Sequence, residues 1–221
     1  MIEVCVGSDD DIEKFIVRKN LATRHSDVIR KAFAGGWKEA KENVVRFPEE
    51  SPEAFQVFVT FLDTGVIHLN HFKSNKPTVA QEAQNNQDID EEWNKIAQSW
   101  LLGEHLSCAS FKDALVDKMV HTLQTTAEIP KTMFPKIIAG SVARSGMRDL
   151  LVDVAAYHLF AADLEAQPDD DEFAGYWKQV AIAYRHRITN PALSAPYDRG
   201  DVGCRYHDHG KDNLCYKAMF S

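Results

Sequence analysis

The residues best equipped for chemistry lie at the C-terminus, in the run Cys204-Arg205-Tyr206-His207-Asp208-His209 followed by Cys215. The spacing is C-x2-H-x-H-x5-C. Two thiolates and two imidazoles form the ligand set of a closed structural zinc site. In an extended segment His207 and His209 share one face, and Gly203 and Gly210 allow the backbone to wrap an ion. The spacing differs from that of a standard zinc finger. Three readings stand open: one structural zinc held by Cys204, His207, His209 and Cys215; a polar tail with two ordinary cysteines; or a nearby disulfide.

Other chemistry is poorly supplied. The chain has no Gly-x-Ser-x-Gly, Walker loop, Gly-x-Gly-x-x-Gly or His-Glu-x-x-His, and no catalytic or cofactor-binding residue is assigned. His25, His105, His121 and His158 fall among apolar neighbours on helical patterns, as core or boundary histidines do. Asp9, Asp10 and Asp11 lack the spaced ligands and closing Glu of a calcium loop and read as a solvated turn. The tripeptide Arg199-Gly200-Asp201 is too short to carry information. Cys5 and Cys108 read as small core residues. The expectation is a protein that is not an enzyme; the competing reading is a zinc-dependent enzyme or metal-regulated protein using the Cys/His tail.

Composition narrows the partners. A net charge of -8 argues against binding nucleic acid or an anionic membrane surface. No apolar run is long enough to span a bilayer. The N-terminus has no basic-then-apolar leader, and there is no Asn-x-Ser/Thr sequon. Four cysteines in 221 residues are too few for a disulfide framework. These features predict an intracellular protein, cytoplasmic or nuclear and not secreted.

The elements that must position the tail follow from periodicity. Ile2, Val4 and Val6 alternate as a strand, and Lys14–Val17 reads as its hairpin partner. Residues 20–34 read as one helix with Leu21, His25, Val28, Ile29, Ala32 and Phe33 on a stripe, ended by a left-handed cap at Gly35-Gly36. Val44–Phe47 is a short strand. Ser51-Pro52-Glu53 starts a helix that buries Phe55, Phe58, Val59 and Leu62 and stops at Gly65. Residues 70–92, rich in Asn, Gln, Asp and Glu, read as a polar surface loop or disordered insertion. Trp93, Ile96, Ala97, Trp100 and Leu101 resume helical spacing.

Ser110 with Asp113 resembles a capping box for a helix burying Phe111, Leu115 and Met119. Residues 133–144 form a further helix, and Ser145 caps another carrying Leu150, Leu151, Val154 and His158. Asp169–Glu172 favours a helix N-terminus, before the stripe Phe173, Trp177, Val180, Tyr184 and Ile188. Strands confined to the first third, then helices, predict an α+β unit with an all-helical extension.

Three segments in order carry a resemblance. They are Phe15-Ile16-Val17-Arg18-Lys19-Asn20-Leu21-Ala22 through His25-Ser26 to Phe33; Gly35-Gly36-Trp37-Lys38-Glu39-Ala40 with Val44-Val45-Arg46-Phe47-Pro48-Glu49; and Glu53-Ala54-Phe55 through Phe61-Leu62-Asp63-Thr64-Gly65. Together they resemble the BTB/POZ domain in the form abundant in fungal proteins. Trp100–Leu106 and residues 110–123 look like that family's next two core helices, so the likeness covers about residues 2–125. Arg18 stands where the family has His, Ala22 where it has Leu, Ile29 where it has an aromatic, and Asp63 where it has Tyr. Similar Cys-x-x-His-x-His tails recur at the ends of fungal members.

The resemblance implies a protein-protein interaction module that binds a protein partner, as an adaptor to a cullin-type ubiquitin ligase or as an assembly or transcriptional scaffold. Many dimeric members exchange a helix and strand that precede the first core strand. Here the sequence starts at that strand, which puts a swapped homodimer in doubt while a homodimer as such stays open. The expected layout is a BTB/POZ-like domain over 1–125 with the insertion at 70–92, a helical extension over 126–195 packed onto it as one continuous unit, and a Cys/His tail over 196–221.

Overall fold

The structure, a computed structural model, describes residues 1–8, 11–69, 79–125, 133–142, 144–158, 173–190, 194–198, 200, 202–209 and 214–220, with backbone alone over 79–89. The Asp9-Asp10 turn, residues 70–78 of the insertion, Asp169–Glu172 and Gly210 lie outside the described residues. The fold is α+β and mostly helical, with one three-stranded sheet among the described residues.

Strand β1 (Ile2–Val6) is central. It pairs antiparallel with β2 (Glu13–Val17) and parallel with β3 (Val44–Phe47), in the order β2-β1-β3. The register sets Val4 opposite Phe15 on one side and Val45 on the other. Because strand side chains alternate, Ile2, Val4, Val6, Phe15, Val17, Val45 and Phe47 share the buried face. Cys5 takes the opposite parity. It is half-buried on the outer face, not in the core, and its thiol pKa is raised by that burial and then by Glu3.

The helix expected over 20–34 is two helices, α1 (Lys19–His25) and α2 (Asp27–Ala34). Ser26 makes the break. Its hydroxyl accepts from the Ile29 N–H at 3.1 Å and donates to the Leu106 carbonyl at 2.9 Å, which favours a cap over helix continuation. Gly35 ends α2 in extended backbone rather than a left-handed cap. A short helix, α3 (Lys38–Glu42), ends at Asn43 in the left-handed region and leads into β3.

Helix α4 (Pro52–Thr64) starts and stops as its sequence dictates. Ser51 Oγ accepts from Ala54 N–H at 3.2 Å, and Gly65 (φ 70°) donates to the Phe61 carbonyl at 2.8 Å. Phe55, Phe58, Phe61 and Leu62 are buried. Their rings form a chain of contacts, with centroid separations of 5.0 Å for Phe15–Phe55, 5.6 Å for Phe55–Phe58 and 5.1 Å for Phe58–Phe111. This aromatic stack ties the sheet to the helices.

Helix α5 (Val79–His105) reaches back into the sequence expected to be a loop, so residues 79–92 are helical. Gln, Glu and Ala are good helix formers, and a helix secured by buried Trp93, Ile96, Ala97 and Trp100 propagates cheaply into them. Helix α6 (Ala109–Thr125) buries Phe111, Leu115 and Met119 as expected. Ser110 does not cap it. It lies inside the helix and its hydroxyl sits 2.9 Å from His25 Nδ1.

Helix α7 (Phe134–Gly140) is shorter than the expected 133–144. Helix α8 (Gly146–His158) begins after Ser145, whose Oγ accepts from the Arg148 N–H at 3.4 Å. Helix α9 (Ala174–Thr189) packs on α8, and the Tyr176 hydroxyl donates to the Leu151 carbonyl at 3.1 Å. Of the expected stripe on α9, Phe173 and Val180 are buried with Tyr176, whereas Tyr184 and Ile188 are exposed. The chain ends with a 3-10 turn (Pro196–Asp198) and a short helix, α10 (Tyr216–Met219).

The chain divides into two compact units. The first comprises 1–71, 95–115 and 209–221; the second comprises 72–94 and 116–208. The division falls within α5 and α6. The first unit holds the sheet and the aromatic stack; the second centres on α8 and α9.

A candidate metal centre at the C-terminus

Between Cys204 and His207 the chain turns back on itself. Gly203 enters the turn at φ 58°, a left-handed conformation that costs glycine nothing. The Arg205 N–H then donates to the Val202 carbonyl at 3.3 Å, and the His207 N–H to the Cys204 carbonyl at 3.2 Å. This tight turn brings the first thiol and the first imidazole together.

The turn is fastened to α6 and α8. The His207 Nε2–H donates to Asp117 Oδ1 of α6 at 3.0 Å, which fixes the tautomer and makes Nδ1 the unprotonated nitrogen. The Tyr206 hydroxyl donates to Asp153 Oδ2 at 2.6 Å, and Arg205 reaches the same oxygen at 3.5 Å. Asp208 accepts from the Gly146 N–H, at the first residue of α8, at 2.6 Å. A carboxylate there also meets the positive end of the helix dipole. Only glycine fits at 146, since a Cβ would overlap the Tyr206 carbonyl. The local carboxylates leave a mark on Asp149: burial first, then Asp153 and Asp208, raise its pKa above the usual range.

Beyond His209, Cys215 stands as the residue before α10, and the Ala218 N–H donates to its carbonyl at 3.0 Å. Phe220 anchors this end. Its ring stacks on His25 with a centroid separation of 5.2 Å and an interplanar angle of 20°, and meets Phe61 edge-on at 5.2 Å. It lies where a Cβ on Gly65 would be, so the glycine that stops α4 also leaves room for Phe220.

The outcome is convergence of all four expected ligands. One ligand atom from each of Cys204, His207, His209 and Cys215 lies within 4.8 Å of every other. A tetrahedral ion held at about 2.0–2.3 Å needs donor atoms about 3.3–3.8 Å apart, so the spacing of the group is compatible with a bound ion. No disulfide joins the cysteines. Two sulfur and two nitrogen donors suit a borderline-soft tetrahedral ion and not calcium or magnesium, which take oxygen ligands. Asp117, Asp153, Asp208 and Gly146 have no motif in the sequence. Only Asp208, between the two histidines, lay within the conspicuous run.

The histidines outside the tail occupy ordinary positions. His25 is buried on Ser110, Phe61 and Phe220, and burial lowers its pKa. His105 is exposed beside Glu50, His121 is exposed, and His158 is half-buried. Cys108 is fully buried, and its thiol is pushed up to about 11.

No protein-family model and no curated protein sequence matches the chain. No helix among the described residues is long and apolar enough to cross a membrane.

Proposed function

We propose that this chain is a protein-interaction module of the BTB/POZ type, acting as an adaptor to a cullin-type ubiquitin ligase or as an assembly scaffold, with one structural zinc in its tail. The observation that carries the reading is the order of elements. Strand β2, the helical stretch over 19–34 that is split in two at Ser26, the short Lys38–Glu42 element, β3 and α4 follow one another in the order in which the quoted segments carry the resemblance. The quoted residues fall in the matching elements: Phe15–Val17 in β2, Leu21 in α1, Val44–Phe47 in β3, Phe61–Thr64 at the end of α4, and Trp100 in α5.

Two departures from the family pattern lie side by side. Arg18 and Asp63 form an ion pair, with Arg18 Nε 3.2 Å from Asp63 Oδ1. The positions where the family pattern has His and Tyr are therefore neighbours in this chain.

Zinc is supported by the donor set and by the Asp117 carboxylate behind His207, the arrangement that orients imidazoles on this metal. Four protein ligands leave no open coordination position, so the ion stabilises the fold and activates no water. The test is binding of purified chain to a purified cullin N-terminal domain, followed by calorimetry. Binding supports the adaptor role; its absence removes the cullin and leaves the scaffold. Metal analysis of the same preparation is expected to give one zinc per chain, lost on Cys204→Ala or His207→Ala.

A further inference from the structure

The apolar stripe on α9 is buried towards its start and exposed towards its end. Phe173, Tyr176 and Val180 are buried within the second unit, but Tyr184 is 49% and Ile188 54% exposed. Advancing 100° per residue, Trp177, Ala181, Tyr184 and Ile188 fall on one line at i, i+4, i+7 and i+11. That line is about 16 Å long; on it Trp177 is half-buried and Ala181 exposed. Ile182, 64% exposed, stands further round the same outer surface. Singly exposed apolar residues are unremarkable, but a helical row of them is the form that receives another helix.

The charge on α9 indicates what kind of helix. Between Ala174 and Thr189 the sequence holds Lys178, Arg185 and Arg187 and no Asp or Glu, in a chain whose net charge is -8. Arg187 turns inward, donating to the Ala156 carbonyl at 2.9 Å with its guanidinium over Tyr157. Lys178 and Arg185 are exposed and project between the apolar row and Ile182. A row of apolar side chains edged by two cations complements a helix whose own apolar row is edged by carboxylates. An anionic bilayer offers similar charge, but the rest of the chain would be repelled from it.

We infer that the outer face of α9 is a docking surface for an acidic amphipathic helix of a partner protein, with Trp177, Tyr184 and Ile188 as apolar anchors and Lys178 and Arg185 as the charge complement. This surface lies outside residues 2–125, so it does not depend on the BTB/POZ reading.

The test uses the full chain and a fluorescein-labelled helical peptide with a leucine stripe flanked by glutamates, read by anisotropy. Its counterpart carries lysines in place of the glutamates. Expected are saturable binding of the acidic peptide that weakens with added salt, and at least tenfold weaker binding of the lysine peptide. The double variant Tyr184→Ser/Ile188→Ser is expected to lose about tenfold or more in affinity with an unchanged melting temperature, because both side chains are exposed. Arg185→Glu is expected to weaken the acidic peptide and strengthen the basic one. The inference is overturned if both peptides bind alike or neither binds. It is also overturned if the double variant loses no affinity, if the same residues drive binding to phosphatidylglycerol vesicles instead, or if they drive self-association in sedimentation.

Discussion

An imidazole that binds a metal through one nitrogen has a second nitrogen to satisfy, and at His207 that duty falls to Asp117. The carboxylate holds the ring orientation and raises the basicity of Nδ1. Asp117→Ala is therefore expected to keep one zinc per chain but weaken it about 10- to 100-fold, measured by competition with a chromophoric chelator. Equal affinity in variant and parent would show that the turn alone positions the ring. The Arg18–Asp63 pair is the opposite case. Both side chains are exposed, so the ion pair is screened, and a double-mutant cycle is expected to give a coupling of about 1 kcal/mol or less.

Among the elements, the glycines at 146 and 65 show how loops are seated. Gly146 accepts the Tyr206 carbonyl against the start of α8, in the same place where its N–H meets Asp208. Gly146→Ala is expected to destabilise the chain by about 1–3 kcal/mol, the usual cost of overpacking, and to weaken zinc as the 204–207 turn is displaced. Chemical denaturation with and without a chelator reads both effects; a variant that melts like the parent in both conditions removes Gly146 from the account.

What could be read from the sequence follows the same logic. The strands, α4 and the buried stripes of α5 and α6 were legible because each carries a local signal: alternation, a Ser-Pro start, i/i+3/i+4 spacing. The four ligands were legible because they lie close along the chain. The break at Ser26 was not, since it depends on the Leu106 carbonyl, far away in sequence. Ser110 misled for the same reason, its hydroxyl being taken by His25. The polar start of α5 has no apolar period to announce it. Asp117 and Gly146 act only through tertiary contact.

For the molecule as a whole, acid is expected to unfold what neutral pH holds. His25 is buried among Ser110 of α6, Phe61 of α4 and Phe220 of the tail, and burial, then neighbouring Arg24, lowers its pKa below the ordinary 6.5. His158 is lowered too, burial being the main cause and Asp198 opposing it. A base whose folded pKa is lowered binds more protons when unfolded. Its contribution to stability is complete above 6.5 and is lost as pH falls through the folded value. Asp149, raised by burial, acts in the opposite sense, its contribution growing as pH falls. Protonation of the metal ligands adds to the loss when zinc is bound, so the histidine contribution is isolated in chelated protein. There the melting temperature is expected to fall as pH is lowered from neutral through the histidine range, and His25→Gln is expected to flatten that fall. The glutamine keeps a polar atom toward Ser110 but takes up no proton. A variant that melts with the parent's full pH slope would assign the acid sensitivity to groups other than His25.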